Sequence, residues 1–574
     1  MRKVFIGLLM FMTTTMNISA QDLNLPGLTS PINVKVTDIG KISTYIDEEI
    51  VTDSLTGRQD TVYNVVPEVL WQSKNADFKN AQHSRRAISP WKIGGRVHEL
   101  FAEVDCYVFK FTYESINSKG ETVNLSGLAA FPNPAYTRVI KNMVIGTHIT
   151  ITSDKESPSN QTKASASDFG LLLSLAEGNP TSLKPALEVL KFTGKAALTF
   201  LTFGATSFLF EPEIKEDFAY TNSRYNFVVM PDYEGYGTTK DHAHPYLYEE
   251  LTARQVLDGA RAARYAYLHD TGFDDMRMSF RNDWRTVVCG YSQGGAVALS
   301  THRYIEQNHL DEELHFAGSI CGDGPYDPMS TLMYYVKNDI DGKPMSMPVV
   351  LPLIVKGMID SNPYMRTHKP SDYFNPKFLE TGILDWLTSK EKSTGDIEDA
   401  FQKLYKNGKG DDKNYYHDIL ESNGSAKMCN IMNKKCYDYF SEIYKKYKDK
   451  YKTAEGIPLP TNRGVMEDLH LALASNDVTQ GWTPTHHTML FHSTADTTVP
   501  YDNAERAKAK LGLWAVLHTS TLNHDHVAAG KDFFTGDENI EIVLKKNDFR
   551  VCFALRELIA VPYTGQKAGE ITHW

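Results

Sequence analysis

Six cysteines in 574 residues are too few to build a disulfide scaffold. Cys289 and Cys321 fall inside apolar runs that read as buried strands, where a thiol behaves as a small apolar side chain. Cys429 and Cys436 lie seven positions apart, about 10 Å along one continuous helix. That exceeds a disulfide's reach, and a bridge between them would need an intervening loop. Positive charge is also scarce: 60 Lys and Arg stand against 71 Asp and Glu, a net charge of −11. Nucleic acids and anionic membranes are poor partners for such a chain. A membrane-spanning run is absent as well. The most apolar internal stretch, Leu183 to Phe210, is broken by Lys184, Pro185, Lys191, Gly194 and Lys195, so it reads as a helix pair covering something apolar. With 41% hydrophobic and 23% charged residues and no biased tract, the composition is globular. The length implies one large domain with insertions, or two domains.

Residues 1–20 stand apart. A basic start at Met1-Arg2-Lys3, an apolar Val4–Met12 and the small-residue exit Asn17-Ile18-Ser19-Ala20 have the order of a secretory signal peptide. No cysteine follows the exit, which argues against a lipid anchor. Removal of this segment takes two basic residues and leaves a net charge of −13. The expectation is a secreted or periplasmic protein without a membrane anchor.

Residues 21–100 are read as an accessory segment, with a hairpin formed by Tyr45–Val51 and Thr61–Val66 around Asp53-Ser54-Leu55-Thr56-Gly57. From Cys106 the pattern sharpens. Tyr107, Phe109, Phe111 and Tyr113 alternate, Asn117-Ser118-Lys119-Gly120 turns, and Val123–Phe131 returns as an antiparallel partner. Asn142–His148 and Tyr225–Met230 read as further strands, and Leu251 to Tyr267 space out a helix. Thr286–Cys289, a helix to about Glu306 and Phe316–Cys321 continue the alternation, which implies a mostly parallel α/β sheet. Residues 325–480 interrupt it with a helical pattern. Tyr437, Phe440, Tyr444, Tyr447 and Tyr451 form a stripe there, read as the packed face of an amphipathic helix rather than a nucleic-acid surface. Alternation resumes with Thr488–His492, a helix near Asp502–Leu511, a strand at Leu513–Thr519 and a helix after His526. The domain plan is therefore a core of 101–324 and 481–574 with a helical cap, 325–480, inserted between them.

Chemistry concentrates at Gly290-Tyr291-Ser292-Gln293-Gly294, a G-x-S-x-G sequence between an apolar run and a helix start. In a turn this tight, side chains at the two glycines would collide across the strained serine backbone. A serine hydroxyl needs a base, and the base needs a carboxylate to orient it. Asp496 and His526 each follow a later strand, and the chain order Ser, Asp, His is that of an α/β-hydrolase. Parallel strands would bring all three to one rim. His526 is preferred to His524 because it opens the next helix, and Asp323, after the preceding strand, is a rival for Asp496. His242, His244, His486 and His487 read as solvated or lid residues. The His524-Asp525-His526 triplet lacks a third distant ligand, so no metal is expected. The two N–H groups that would hold an oxyanion are assigned to Gln293 and to Thr150, in the loop Thr147-His148-Ile149-Thr150.

These residues resemble the α/β-hydrolase superfamily and, more narrowly, the secretory lipase (lipase A-like) esterases. The narrower likeness lies in Ser126–Pro132, Ser157-Pro158-Ser159, Pro231–Gly237, Leu257–Ala263 and Ala472–Asp477 with Pro484. It implies a capped, cofactor-free hydrolase of carboxylic esters, acting on small-molecule, lipid or glycan esters. His148-Ile149-Thr150 departs from the family's His-Gly-Thr at the oxyanion loop. Two alternatives stay open: a prolyl-oligopeptidase-like serine peptidase, for which the segment before the core is too short to form a propeller, and a catalytically silent binding protein of the same fold.

Overall fold

In the computed structural model, the residues described are 33–52, 59–73, 106–132, 139–160, 226–520 and 523–535. The signal-like segment 1–20 and the apolar stretch 183–210 lie outside them. Ten strands form one sheet: β1 (Val34–Thr52), β2 (Gln59–Ser73), β3 (Cys106–Ile116), β4 (Thr122–Pro132), β5 (Val139–Thr147), β6 (Asn226–Pro231), β7 (Ser279–Tyr291), β8 (Phe316–Gly322), β9 (His487–Ser493) and β10 (Ala515–Ser520). Their order is β10-β9-β8-β7-β5-β6-β4-β3-β1-β2. From β10 to β6 every neighbour is parallel. From β6 to β2 every neighbour is antiparallel.

The hairpin read around residue 55 is the β1–β2 pair, in register from Asp38↔Ser73 to Thr52↔Gln59. Its strands run well beyond the apolar segments that marked them. Because β1 also pairs with β3, β1 and β2 extend the main sheet instead of forming a separate layer. The boundary drawn at residue 100 thus falls inside one hydrogen-bonded sheet.

The alternating aromatics of β3 explain how the antiparallel half attaches. Phe109, Phe111 and Tyr113 share one face and are fully buried with Phe131, Phe227, Tyr267 and Phe273 in the principal core. Phe109 meets Phe273 edge-on at 4.9 Å between ring centres, a pairing worth about 0.5–1.5 kcal/mol beyond burial. The Tyr113 hydroxyl donates to the Gln255 carbonyl at 2.9 Å in the helix Glu249–His269, which lies against this face.

Between β8 and β9 the helices Pro328–Ile340, Val350–Ser361, Thr394–Asn407, Lys434–Tyr447 and Val465–Ala474 enclose a second apolar cluster that includes Met333, Leu351, Phe374 and Phe440. Four of the five aromatic residues of the stripe belong to it: Phe440 and Tyr451 are buried, and Tyr437 and Tyr444 pack against it. The continuous helix considered for Cys429 and Cys436 is broken, since Met428–Ile431 ends before Lys434–Tyr447 begins, and both thiols are free. Buried Arg506, on the helix Asp502–Leu511, joins this region to the sheet through Asp327 at 2.5 Å and Asp477 at 2.8 Å. Among the described residues, no helix is long and apolar enough to cross a membrane.

Glu249 is a local misfit with a measurable consequence. It is 2% exposed, and neither carboxylate oxygen has a hydrogen-bond partner. Burial pushes its carboxyl from 4.5 up to about 8. An acid whose folded pKa is raised costs nothing below its unfolded pKa, where both states hold the proton. The cost grows between pH 4.5 and pH 8 and then levels off. Glu249→Gln is therefore expected to stabilise the fold by a few kcal/mol, ~4 at most, at pH 8 and by almost nothing near pH 4.5. Denaturant unfolding at both pH values checks this, and an equal gain at the two would refute it.

Candidate active site

Parallel strands place their carboxyl ends on one rim, and the loops leaving β5, β7, β8, β9 and β10 carry Thr150, Ser292, Asp323, Asp496 and His526. At the centre, β7 ends at Tyr291, and the helix Gln293–Gln307 begins one residue after Ser292. Ser292 sits at φ 58° and ψ −126°, a conformation that costs a non-glycine residue about 1–3 kcal/mol. The flanking glycines allow it by letting the elbow press against the end of β5. A Cβ on Gly290 would strike Thr147 Oγ1 and the Gly294 carbonyl, and one on Gly294 would strike the Thr147 and His148 carbonyls. The Thr147 hydroxyl lies 2.7 Å from the Gly294 carbonyl, binding the two loops together.

His526 reaches Ser292 across 234 positions: its Nε2 lies 2.8 Å from Ser292 Oγ. Its Nδ1 lies 2.5 Å from Asp496 Oδ2. The other Asp496 oxygen, Oδ1, accepts the amides of Thr498 at 2.8 Å and Val499 at 2.9 Å. Burial alone would push the Asp496 carboxyl up. The adjacent His526 imidazole and its hydrogen bond, with His492 nearby, hold it below the usual range, as an anion. Asp496, Ser292 and His526 are each less than 9% exposed. The rival His524 contributes a backbone carbonyl, which accepts the Ser493 hydroxyl at 2.7 Å.

Gln293 opens its helix, so its N–H is among those a helix leaves without an internal partner. Thr150 lines the same cavity as Ser292, and its hydroxyl lies 2.9 Å from that of Tyr246. The preceding His148 is clamped between the Ile149 and Asp232 carbonyls at 2.8 and 3.0 Å and stacks on Tyr233. Burial pushes it down to about 4, so the ring is neutral and its single N–H donates to one of these two carbonyls. The cavity has a volume of about 190 Å³. Ile149, Met347, Val350 and Val527 give it an apolar lining around Ser292 and His526. Met347, Val350 and Thr394 come from the region between β8 and β9, so that region shapes the space above the serine.

Other histidines divide. His244, read as solvated or lid-borne, is instead buried against the elbow. Its Nε2 lies 2.9 Å from Gln293 Nε2 and its Nδ1 2.8 Å from the Glu234 carbonyl. Burial pushes it down to about 3, so it stays neutral and takes the Gln293 amide proton. Its position far upstream of the elbow left no sequence signal for this contact. His242 is the more exposed of the two and faces Glu234. His486 joins His302 on Glu306. These three could together ligate a cation, but Glu306 already accepts the Trp482 indole, the Thr485 and His486 amides and the Thr485 hydroxyl. The cluster is complete as a hydrogen-bond hub. The group Asp323, Asp496 and His526 is also compact enough for a cation. There both imidazole nitrogens are directed at Ser292 and Asp496.

A mixed sheet with one parallel half, a strand–serine–helix elbow, and a carboxylate and a histidine on the same rim define an α/β-hydrolase fold. Among solved structures the chain is similar to the ligand-bound rice cell wall degrading esterase LipA from Xanthomonas oryzae, with 19% identity over 78% of this chain and 94% of that one and a TM-score of 0.47. It is also similar to Candida antarctica lipase A in its closed state, with 14% identity over 74% of each chain and a TM-score of 0.40. No protein-family model and no curated protein matches it. At such identities the likeness adds nothing to what the chain's own strands and side chains display.

Proposed function

We propose that the protein is a serine hydrolase of carboxylic esters. The observation that carries this reading is the buried chain from Ser292 Oγ through His526 to Asp496, opening on an apolar cavity. In the proposed reaction Ser292 Oγ attacks the ester carbonyl carbon while His526 Nε2 takes its proton. Asp496 keeps the other imidazole proton on Nδ1 and stabilises the imidazolium that forms. The N–H groups of Gln293 and Thr150 receive the oxyanion, a contribution of about 2.7–4 kcal/mol for each donor of this kind. Collapse of the tetrahedral intermediate expels the alcohol, protonated by His526, and leaves an acyl-serine. Water then repeats the sequence and releases the acid.

Residues 325–480 act in this reading as a cap over the acyl site, residues 101–324 and 481–574 as the core, and residues 1–20 as an export signal. Labelling of Ser292 by a fluorophosphonate, located by mass spectrometry of its peptide, tests the nucleophile. An intact, unlabelled Ser292 would leave a silent binding protein as the better reading. The apolar lining predicts faster cleavage of p-nitrophenyl esters of medium or longer acyl chains than of acetate. A chain-length series that peaks at acetate would count against the lidded acyl pocket. Cleavage of aminoacyl anilides in preference to esters would turn the assignment towards a peptidase.

A further inference from the structure

Beside Asp496 lies a second carboxyl group that the reaction above does not use. Asp323 follows β8 directly, is 0% exposed, and sits at φ 36°, with its backbone N–H donating to the Phe491 carbonyl at 2.9 Å. Its oxygens face the Ser493 amide at 3.2 Å and the Tyr291 hydroxyl at 2.9 Å. That hydroxyl also lies 2.8 Å from the His526 carbonyl, so the residue before the nucleophile bridges Asp323 and the backbone of the base. Asp323, Asp496 and His526 present oxygen or nitrogen atoms that all lie within 4.8 Å of one another. The two buried carboxyl groups approach each other within that distance.

Two buried anions this close repel strongly, and a single proton held between the two carboxyl groups removes that repulsion. Asp496 has the better claim to the negative charge, because two backbone amides and the imidazole surround it. We propose that Asp323 is a positioning residue that carries the shared proton and donates it in a hydrogen bond to Asp496, holding in place the carboxylate that orients His526. This rests on the triad roles given above. Burial first, and then the Asp496 charge, push the Asp323 carboxyl well above its ordinary range, in the same direction as the geometry. The titratable groups facing the pair include Tyr291, Tyr326, Tyr334, Tyr335, His526 and His492, the last 4.0 Å from Asp496 Oδ2.

A donor on Asp496 draws charge away from its oxygen and so weakens its hold on the His526 imidazolium. Without that donor the imidazolium is favoured, and the acidic limb of the kcat/KM profile moves to higher pH. Asp323→Asn retains an N–H donor of the same reach, whereas Asp323→Ala has none. The expected result is that Asp323→Asn keeps ester turnover within a few-fold of the parent with an unmoved acidic limb. Asp323→Ala should lose roughly 10- to 100-fold in kcat, the range for one charge-assisted hydrogen bond, with the limb displaced upward and KM little changed. Equal losses in both variants, or a loss in Asp323→Ala with an unmoved limb, would overturn the proposal and leave a packing role. Fluorophosphonate labelling of the parent separates the two claims, since an unlabelled parent refutes the esterase reading itself. Infrared difference spectra need neither activity nor a folded variant. With isotope-labelled aspartate in the parent, a protonated-carboxyl band persisting at pH 8 supports the neutral acid, and its absence overturns it.

Discussion

Ser292→Ala is expected to lower ester turnover by about six orders of magnitude, the scale seen when the nucleophile of such a unit is removed. Alanine keeps the β-carbon and can keep the elbow conformation, so the melting temperature should stay close to the parent's. His526 would lose its 2.8 Å partner, but its contact with Asp496 does not depend on the serine. The oxyanion donors would also survive, and any remaining rate above the uncatalysed reaction would be theirs. Steady-state rates with a p-nitrophenyl ester, beside a thermal melt, decide the matter. A variant retaining even a tenth of the parental rate would remove Ser292 from the mechanism.

Asp496→Asn should cost about four orders of magnitude in kcat, and the hydrogen bonds around it give the reason. Asp496 Oδ1 is held by the Thr498 and Val499 amides, so an asparagine would have to keep its carbonyl oxygen there. Its NH2 group would then take the place of Oδ2, 2.5 Å from His526 Nδ1. A donor facing Nδ1 forces that nitrogen to accept and moves the imidazole proton to Nε2. Nε2 faces Ser292 and, once protonated, cannot take the hydroxyl proton. The fold should be preserved because the side-chain volume is unchanged. If the variant kept near-normal activity, Asp323 would be the carboxylate able to take over, and the Asp496→Asn, Asp323→Asn double variant would then lose what the single one kept.

Much of the proposed site is legible in the sequence because its signals are local. Gly290 and Gly294 are demanded by the tightness of one turn, and the alternation of Phe109, Phe111 and Tyr113 reports one buried face within a single strand. The positions of Asp496 and His526, each just past an apolar run, follow from parallel strands having their carboxyl ends together. The contacts that escaped are all non-local. His244 meets Gln293 from 49 positions upstream, and nothing in its neighbours distinguishes it from the exposed His242. The full length of β1 and β2 was hidden because their polar residues gain stability from ladder hydrogen bonds, which leave no mark on composition.

By itself, then, the order of residues determined the turn at Ser292, the rhythm of strands and helices, and the candidates for acid and base. Which of two carboxylates beside neighbouring strands faces the imidazole was a tertiary decision. Asp323 and Asp496 both leave the same rim, and the sequence favours Asp496 without settling which of them meets the imidazole. The backbone amides of Thr498 and Val499 settle it, by stabilising an anion at Asp496, while Asp323 is buried against its neighbour's charge. A charge buried in protein is assigned by the donors that fold around it, and those donors come together only when distant segments pack.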